Sequence, residues 1–131
     1  MRVTDNRYRG EMSKFHLAVR MIGHEARTGT IRSCTGFSED RIRKIYATYF
    51  RDSGTVRRHR GKSPSRISSF LCSATRQSEA TVLACLLLSR GVLHVDASNG
   101  VAQVRRMDPV LLGEGVCDAY ETYRSCLLYT S

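Results

Sequence analysis

Thr28–Phe50 reads TGTIRSCTGFSEDRIRKIYATYF, and this pattern predicts two short helices joined by a tight turn. Ile31 and Cys34 are the apolar positions of the first helix, and Gly36 supplies the positive φ that a sharp corner between helices requires. Ser38 stands where a helix N-cap is expected, and the acidic residues after it suit the positive end of the helix dipole. The segment therefore has the layout of a helix-turn-helix.

The second of these helices has an apolar face and a basic face. Ile42, Ile45 and Tyr49 recur at helical spacing and predict the side that faces the core. The basic residues at the other positions are our candidates for contact with a DNA groove or its rim: Arg41, Arg43 and Lys44. The alternative interpretation is an ordinary helical hairpin with a solvated basic face, and the sequence leaves both open.

Positive charge is concentrated in the first half of the chain. Residues 1–70 hold 16 Lys/Arg against 6 Asp/Glu, a net charge of +10, whereas residues 71–131 hold 5 against 6, a net charge of −1. This asymmetry favours a polyanionic partner, and nucleic acid fits best. A membrane surface fits less well, because no long amphipathic helix combines this charge with a broad apolar face.

Residues 51–66 form the second segment of functional interest. They include six basic residues and one acidic residue, Asp52, and they have no apolar periodicity, so we interpret them as a mobile loop. A phosphate backbone would supply the missing counter-charge, and the loop would order on binding. The candidates for phosphate contact are Arg57, Arg58, Arg60 and Lys62. A merely solubilising linker is the alternative.

The rest of the chain predicts an all-α fold of about five helices. Residues 1–10 are interpreted as a flexible basic lead-in, and Glu11–Arg27 is predicted to be the first helix, because its apolar residues fall on one stripe. Ser65 and Ser78 are predicted N-caps of two later helices. We interpret residues 11–125 as one helical domain that binds DNA and a partner protein.

The second half adds three expectations. Glu79–Arg90, closed by a C-cap at Gly91, is apolar on most of its surface, which predicts burial in the core or beneath a partner. Alternating apolar residues around Asn99-Gly100 suit a small β-hairpin near 93–104, and a structured loop is the alternative. Asp108-Pro109 predicts the opening of the last helix, since proline is tolerated in the first turn.

Residues able to carry catalysis are scattered along the sequence. None of the four histidines is spaced from a Cys, Asp or Glu in a way that is typical of a catalytic or metal-binding motif. The chain also has no glycine-rich phosphate-binding motif and no Gly-x-Ser-x-Gly nucleophile elbow. None of the five cysteines forms a Cys-x-x-Cys pair. We therefore predict that the protein is not an enzyme and that this chain holds no metal.

The cellular location is predicted from two features of the sequence. The N-terminus has no hydrophobic signal region, and no segment is apolar enough to cross a bilayer. We therefore expect a cytoplasmic protein without a membrane partner.

A family resemblance lies in Leu17–Arg27, which reads LAVRMIGHEAR, and in Thr35–Tyr46, which reads TGFSEDRIRKIY. These segments resemble the C subunit of the flagellar master transcriptional activator, the FlhC family. Its members have a leucine-rich helix ending in Ala-Arg, then a turn and a basic helix of similar spacing. Looser landmarks extend the resemblance over about residues 12–125: Pro64-Ser65-Arg66 with Phe70, Leu86–Gly91 and Ala119–Tyr123.

The resemblance implies a DNA-binding subunit of a transcriptional activator for bacterial flagellum biogenesis. Such a subunit would assemble with a small D subunit into a hetero-oligomer, bind double-stranded promoter DNA and recruit RNA polymerase. The family also has a zinc site of four cysteines near its C-terminus. Nothing in this chain matches that site, so zinc is implied only for the full-length family and no cofactor is expected here.

The last six residues, Cys126–Ser131, read CLLYTS. They can be encoded by TGT CTC TTA TAC ACA TCT, the mosaic end of a sequencing-library transposase adapter. We interpret residues 126–131 as adapter-derived and expect the natural gene to continue after about Ser125, so that the chain is truncated before the zinc region of the family.

Two other functions compete with DNA-binding activation. In one, the chain is a protein-interaction module and its basic half only keeps it soluble. In the other, the basic loop binds RNA without sequence-specific recognition of DNA. RNA binding would need exposed aromatic rings for stacking on bases, and the aromatic residues of this half, such as Phe15 and Phe37, fall mostly at core spacing.

Overall fold

The protein is described from a computed structural model, which covers residues 3–59, 66–69, 71–98, 100–103 and 107–130. Within these residues the helices are α1 (Val3–Gly23), α2 (Thr28–Thr35), α3 (Glu39–Tyr49), α4 (Ala74–Ser89) and α5 (Pro109–Thr130), and the strands are β1 (Leu93–Asp96) and β2 (Gly100–Gln103). The mostly helical composition confirms the predicted all-α class. The chain divides into two compact units, Met1–Ser63 and Pro64–Ser131, where the sequence predicted one domain over 11–125.

The first unit, Met1–Ser63, has its core between α1, α2 and α3. Most of the apolar side chains predicted to face this core are buried, including Ile31, Cys34, Ile42 and Ile45. Tyr49 was also predicted to face it but is 55% exposed. It lies in the last turn of α3 and packs edge-on against Phe15, with ring centroids 5.9 Å apart.

The first helix differs from its prediction at both ends. Residues 3–10 belong to α1 rather than to a flexible lead-in. Once the buried turns near Ile22 fix a helix, each further residue adds a hydrogen bond at little cost, and nothing in 3–10 stops it. At its other end α1 stops at Gly23 instead of Arg27, because Glu25 has a φ of 62° and turns the chain.

The corner between α2 and α3 matches its prediction. Gly36 has a φ of 74°, and its N–H donates to the carbonyl of Arg32 at 2.8 Å. The Thr35 hydroxyl accepts from the Phe37 N–H at 3.2 Å, and the Ser38 hydroxyl accepts from the Arg41 N–H at 3.3 Å. The first bond completes the hydrogen bonding of α2, and the two side-chain bonds satisfy amides that have no partner within either helix, so together they fix the end of α2 and the start of α3.

The second unit, Pro64–Ser131, contains α4, the hairpin and α5. The N-cap of α4 is Ser73, whose hydroxyl accepts from the Arg76 N–H at 3.2 Å. The prediction of a cap at Ser78 is wrong, because nothing between Ala74 and Gln77 breaks the helix. Ser65, the other predicted cap, lies outside the described residues, and Ile67–Ser69 forms only a short 3-10 turn.

The strands β1 and β2 pair antiparallel, with Leu93 opposite Gln103 and Asp96 opposite Gly100, which confirms the hairpin over the structured loop. The last helix opens at Pro109 as predicted and continues through residue 130. That continuation does not test the adapter origin of residues 126–131, which stays a prediction.

A close approach in the second unit explains one glycine of α5. A Cβ placed on Gly115 would lie 2.7 Å from Cγ2 of Val92, whose side chain is buried. The missing side chain of this glycine is what lets α5 lie against the chain that follows α4.

Candidate nucleic-acid interface

The three basic candidates of α3 point in different directions, because successive helical residues turn by about 100°. Arg41 faces α1. Its guanidinium lies over the Phe37 ring, 3.9 Å from the centroid, and 3.5 Å from Oε2 of Glu11. The aromatic face and the carboxylate both stabilise this cation between α3 and α1.

Arg43 lies on the opposite side of α3, and Lys44 lies between the two. The Arg43 guanidinium is 3.5 Å from Oδ1 of Asp40, with both side chains more than two-thirds exposed. An ion pair this exposed contributes about 0–1 kcal/mol, so a phosphate can displace the carboxylate at little cost. Lys44 is exposed and makes no ion pair with any described residue.

Residues 54–59, which belong to the loop predicted over residues 51–66, form a hydrogen-bonded segment. The Tyr46 hydroxyl donates to the carbonyl of Val56 at 3.0 Å, and the Arg57 N–H donates to Oε1 of Glu25 at 2.8 Å. The imidazole Nε2 of His59 lies 4.0 Å from the same carboxylate oxygen. Backbone and side-chain bonds from both α3 and the end of α1 therefore hold the segment.

The arginines of this segment have different positions. Arg58 is half-buried: its guanidinium donates to the carbonyl of Ala26 at 3.3 Å and also to the Thr28 hydroxyl, and it lies 5.8 Å from the centroid of the Tyr46 ring. Desolvation by burial lowers the pKa of Arg58, and the neighbouring Tyr46 acts in the opposite direction. The side chain of Arg57 is exposed.

Two of the predicted phosphate contacts, Arg60 and Lys62, lie outside the described residues. Of the remaining five candidates, the structure brings only Arg43 and Arg58 to one place. That place is an open groove of about 750 Å³ between the start of α2, the side of α3 and the segment after it. Its lining consists of Arg27, Thr28, Gly29, Glu39, Arg43, Tyr46, Arg51, Arg58 and His59.

The groove also includes Arg27, Arg51 and Gly29, none of which was predicted to be a site residue. Arg27 is the N-cap residue of α2, and its side chain makes no capping hydrogen bond. Arginine is a poor cap, and a cation is disfavoured at the positive end of a helix. This mismatch was visible in the sequence as soon as Thr28 was taken as the start of a helix, and it is the signal that could have revealed the groove.

The described part of the chain holds no group of three or more His, Cys, Asp or Glu side chains able to bind a metal ion. Among the same residues, no helix has the length and apolar character needed to traverse a bilayer.

Comparison of the chain with models of protein families, with curated proteins and with solved structures finds no match. The function proposed below therefore depends on the geometry of the two units and on the resemblance noted in the sequence.

Proposed function

We propose that this chain is a DNA-binding subunit of a transcriptional activator, and that the first unit contacts the duplex. The observation that carries the proposal is the pair α2–α3, a sharply turned helix pair whose second helix is capped, exposed along one side and flanked by cations. Residues 1–63 hold 15 Lys/Arg against 6 Asp/Glu. A charge of this sign and density attracts a phosphate backbone over distances of about 10 Å at moderate salt.

The dimensions of α3 fit the proposed role. Its 11 residues make a helix about 16 Å long, which suits a major groove about 12 Å wide. The exposed side chains of Arg43 and Lys44 lie along the side of α3 that faces solvent. Arg57 adds an exposed cation on the hydrogen-bonded segment, which Tyr46 of α3 contacts at Val56, so we expect phosphate and groove contacts to form together.

The second unit supports the proposal of a protein partner. α4 is rich in leucine, yet none of its residues is fully buried, and Val82 is 42% exposed. An apolar helix without full burial in its own unit fits a surface that a partner covers. Following the family resemblance, we propose that this partner is the D subunit, that the assembly acts on flagellar promoters in the cytoplasm, and that it recruits RNA polymerase.

Salt dependence of DNA binding tests the main proposal. Fluorescence anisotropy with a labelled duplex, between about 50 and 200 mM NaCl, should show log K falling linearly with log salt. Lys44→Gln and Arg57→Gln should each reduce the slope by about 1. Arg90→Gln, in the second unit, is the control with the same loss of charge and should leave the slope unchanged.

Two outcomes would favour the competing functions. Equal or tighter binding to single-stranded RNA would indicate an RNA-binding protein. Failure to bind any nucleic acid at low salt would indicate an interaction module whose charge only solubilises it.

Co-expression with a D subunit and a pull-down tests the partner interface. Val82→Glu in α4 should abolish capture, because a buried unpaired carboxylate is costly at an interface. Val95→Glu in β1 is the matched control, since Val95 is 67% exposed in the same unit. Capture that survives Val82→Glu would remove α4 from the interface.

A further inference from the structure

We propose that the groove at the start of α2 is a binding site for a phosphate group. The ligand class is a phosphate or phosphate ester, held by arginine side chains and by the first amides of α2. This inference deepens the proposed function and rests on it only for the source of the phosphate, which in DNA would be a backbone diester.

The charges that line the groove are unbalanced. Four arginines line it against one carboxylate, Glu39, which lies 3.5 Å from the guanidinium of Arg32 outside the lining. Arg43 has its own exposed ion pair with Asp40, so the charge left for a ligand comes first from Arg51 and Arg58, which make no ion pair with a described residue. Bringing like charges to one concave surface is unfavourable unless an anion joins them. The groove therefore favours an anionic ligand over a neutral one.

The helix terminus at the groove adds directed donors to this charge. The amides of the first turn of α2 have no acceptor within the helix, and the N-cap side chain of Arg27 does not supply one. Gly29 is exposed and has open space where a Cβ would stand, so a ligand can approach the backbone closely. Anions bind at such helix ends because N–H groups and the dipole both favour them.

Arg58 lines the groove and keeps hydrogen-bond donors for a ligand. Its two described hydrogen bonds go to neutral acceptors, the carbonyl of Ala26 and the hydroxyl of Thr28. Neither of these bonds neutralises the guanidinium, and an arginine has five N–H donors, so some remain for a ligand. A fixed fork of donors is the geometry that binds phosphate oxygens bidentately.

Amide chemical shifts of the ¹⁵N-labelled full chain test the site directly. Inorganic phosphate is titrated against NaCl at matched ionic strength, and we expect saturable shifts at Gly29 and Thr30 with phosphate only. A thymidine dinucleotide, whose bridging phosphate is a diester, is titrated in parallel to identify the source. Shifts with the dinucleotide and not with phosphate would indicate the nucleic-acid backbone, and the reverse result would indicate a free phosphoryl ligand.

Variants of the groove residues supply the specificity control. Arg51→Gln should raise the apparent Kd for phosphate about tenfold, because one charged hydrogen bond is lost. Arg43→Gln, which removes a different exposed cation, should do the same and covers the case in which Arg51→Gln unfolds. Arg7→Gln, on α1 and outside the groove, should leave the Kd unchanged.

The outcomes separate this site from the proposed function. Saturable phosphate binding without duplex binding would support the site and contradict the DNA-binding proposal. Duplex binding without a saturable response to phosphate or dinucleotide would overturn the site and leave the DNA-binding proposal intact. Equal Kd values in Arg51→Gln, Arg43→Gln and Arg7→Gln would also overturn it, because binding would then depend on net charge alone.

Discussion

Replacing Gly36 by alanine isolates the conformational demand of the corner between α2 and α3. Gly36 has a φ of +74°, and a Cβ built there meets no atom within 4 Å. The substitution therefore adds backbone strain without a clash. Gly10, in α1, also has open space for a Cβ but has no positive φ, so Gly10→Ala is the matched control.

The two substitutions should change the free energy of unfolding in opposite directions. An L residue in the left-handed region costs about 1–2 kcal/mol, and the smaller entropy of the unfolded chain offsets about 0.4–1 kcal/mol of this. We expect Gly36→Ala to lower the free energy of unfolding by about 1 kcal/mol. Gly10→Ala should raise it by about 0.5–1 kcal/mol, because alanine replaces glycine inside a helix.

Native-state hydrogen exchange is the suitable assay, because it reports on the first unit even if the two units unfold separately. The probes are the amides of Ile42 and Ile45 in α3, whose side chains are buried. Gly36→Ala should reduce their protection about fivefold, and Gly10→Ala should increase it. Equal or greater protection in Gly36→Ala would refute the assignment of strain to this corner.

Three further predictions concern other features of the structure. Gly115→Ala should lower the stability of the second unit by about 1 kcal/mol or more, because the clash with buried Val92 exceeds the gain in helix propensity. Unchanged hydrogen exchange of the α4 amides would contradict this close contact. Ser73→Ala should cost about 1 kcal/mol through loss of the α4 cap, whereas Ser78→Ala should not destabilise, and the opposite order in urea titrations would restore the cap predicted from sequence. Iodoacetamide near pH 8 should modify exposed Cys85 well before Cys34, because Cys34 is buried and desolvation raises the pKa of its thiol. Mass spectrometry that finds Cys34 alkylated first would show that its burial is wrong.

The parts of the fold that local chemistry controls could be predicted from the sequence. Gly36 and Ser38 act on backbone within a few residues of themselves, so the corner and the start of α3 follow directly from their types. The hairpin around Gly100 is a similar case. The cap at Ser73 was missed because Ser78 offers the same chemistry, and only the packed helix decides between two equivalent caps.

The candidate site was harder to predict because distant residues form it. Glu25 accepts from the backbone of Arg57 across 32 positions, and no local pattern indicates such a bond. The same bond ties part of a stretch that composition predicted to be a mobile loop to the turn after α1. Arg43 and Arg58 were predicted to contact DNA from their charge and their place in the sequence, but their meeting with Arg27 in one groove depends on how α2, α3 and the segment after α3 pack.

Tyr46 links α3 to the segment at residues 54–59, because its hydroxyl bonds to the Val56 carbonyl while its ring lies near the Arg58 guanidinium. Under the proposed function, the segment that carries Arg57 is therefore already bonded to the helix that carries Lys44 before DNA binds. Calorimetry of the complex should then give the modest heat-capacity change of preformed surfaces docking, without the large decrease that accompanies coupled folding. Tyr46→Phe would remove only the hydroxyl, and it should make association slower or entropically costlier while leaving every cation in the chain.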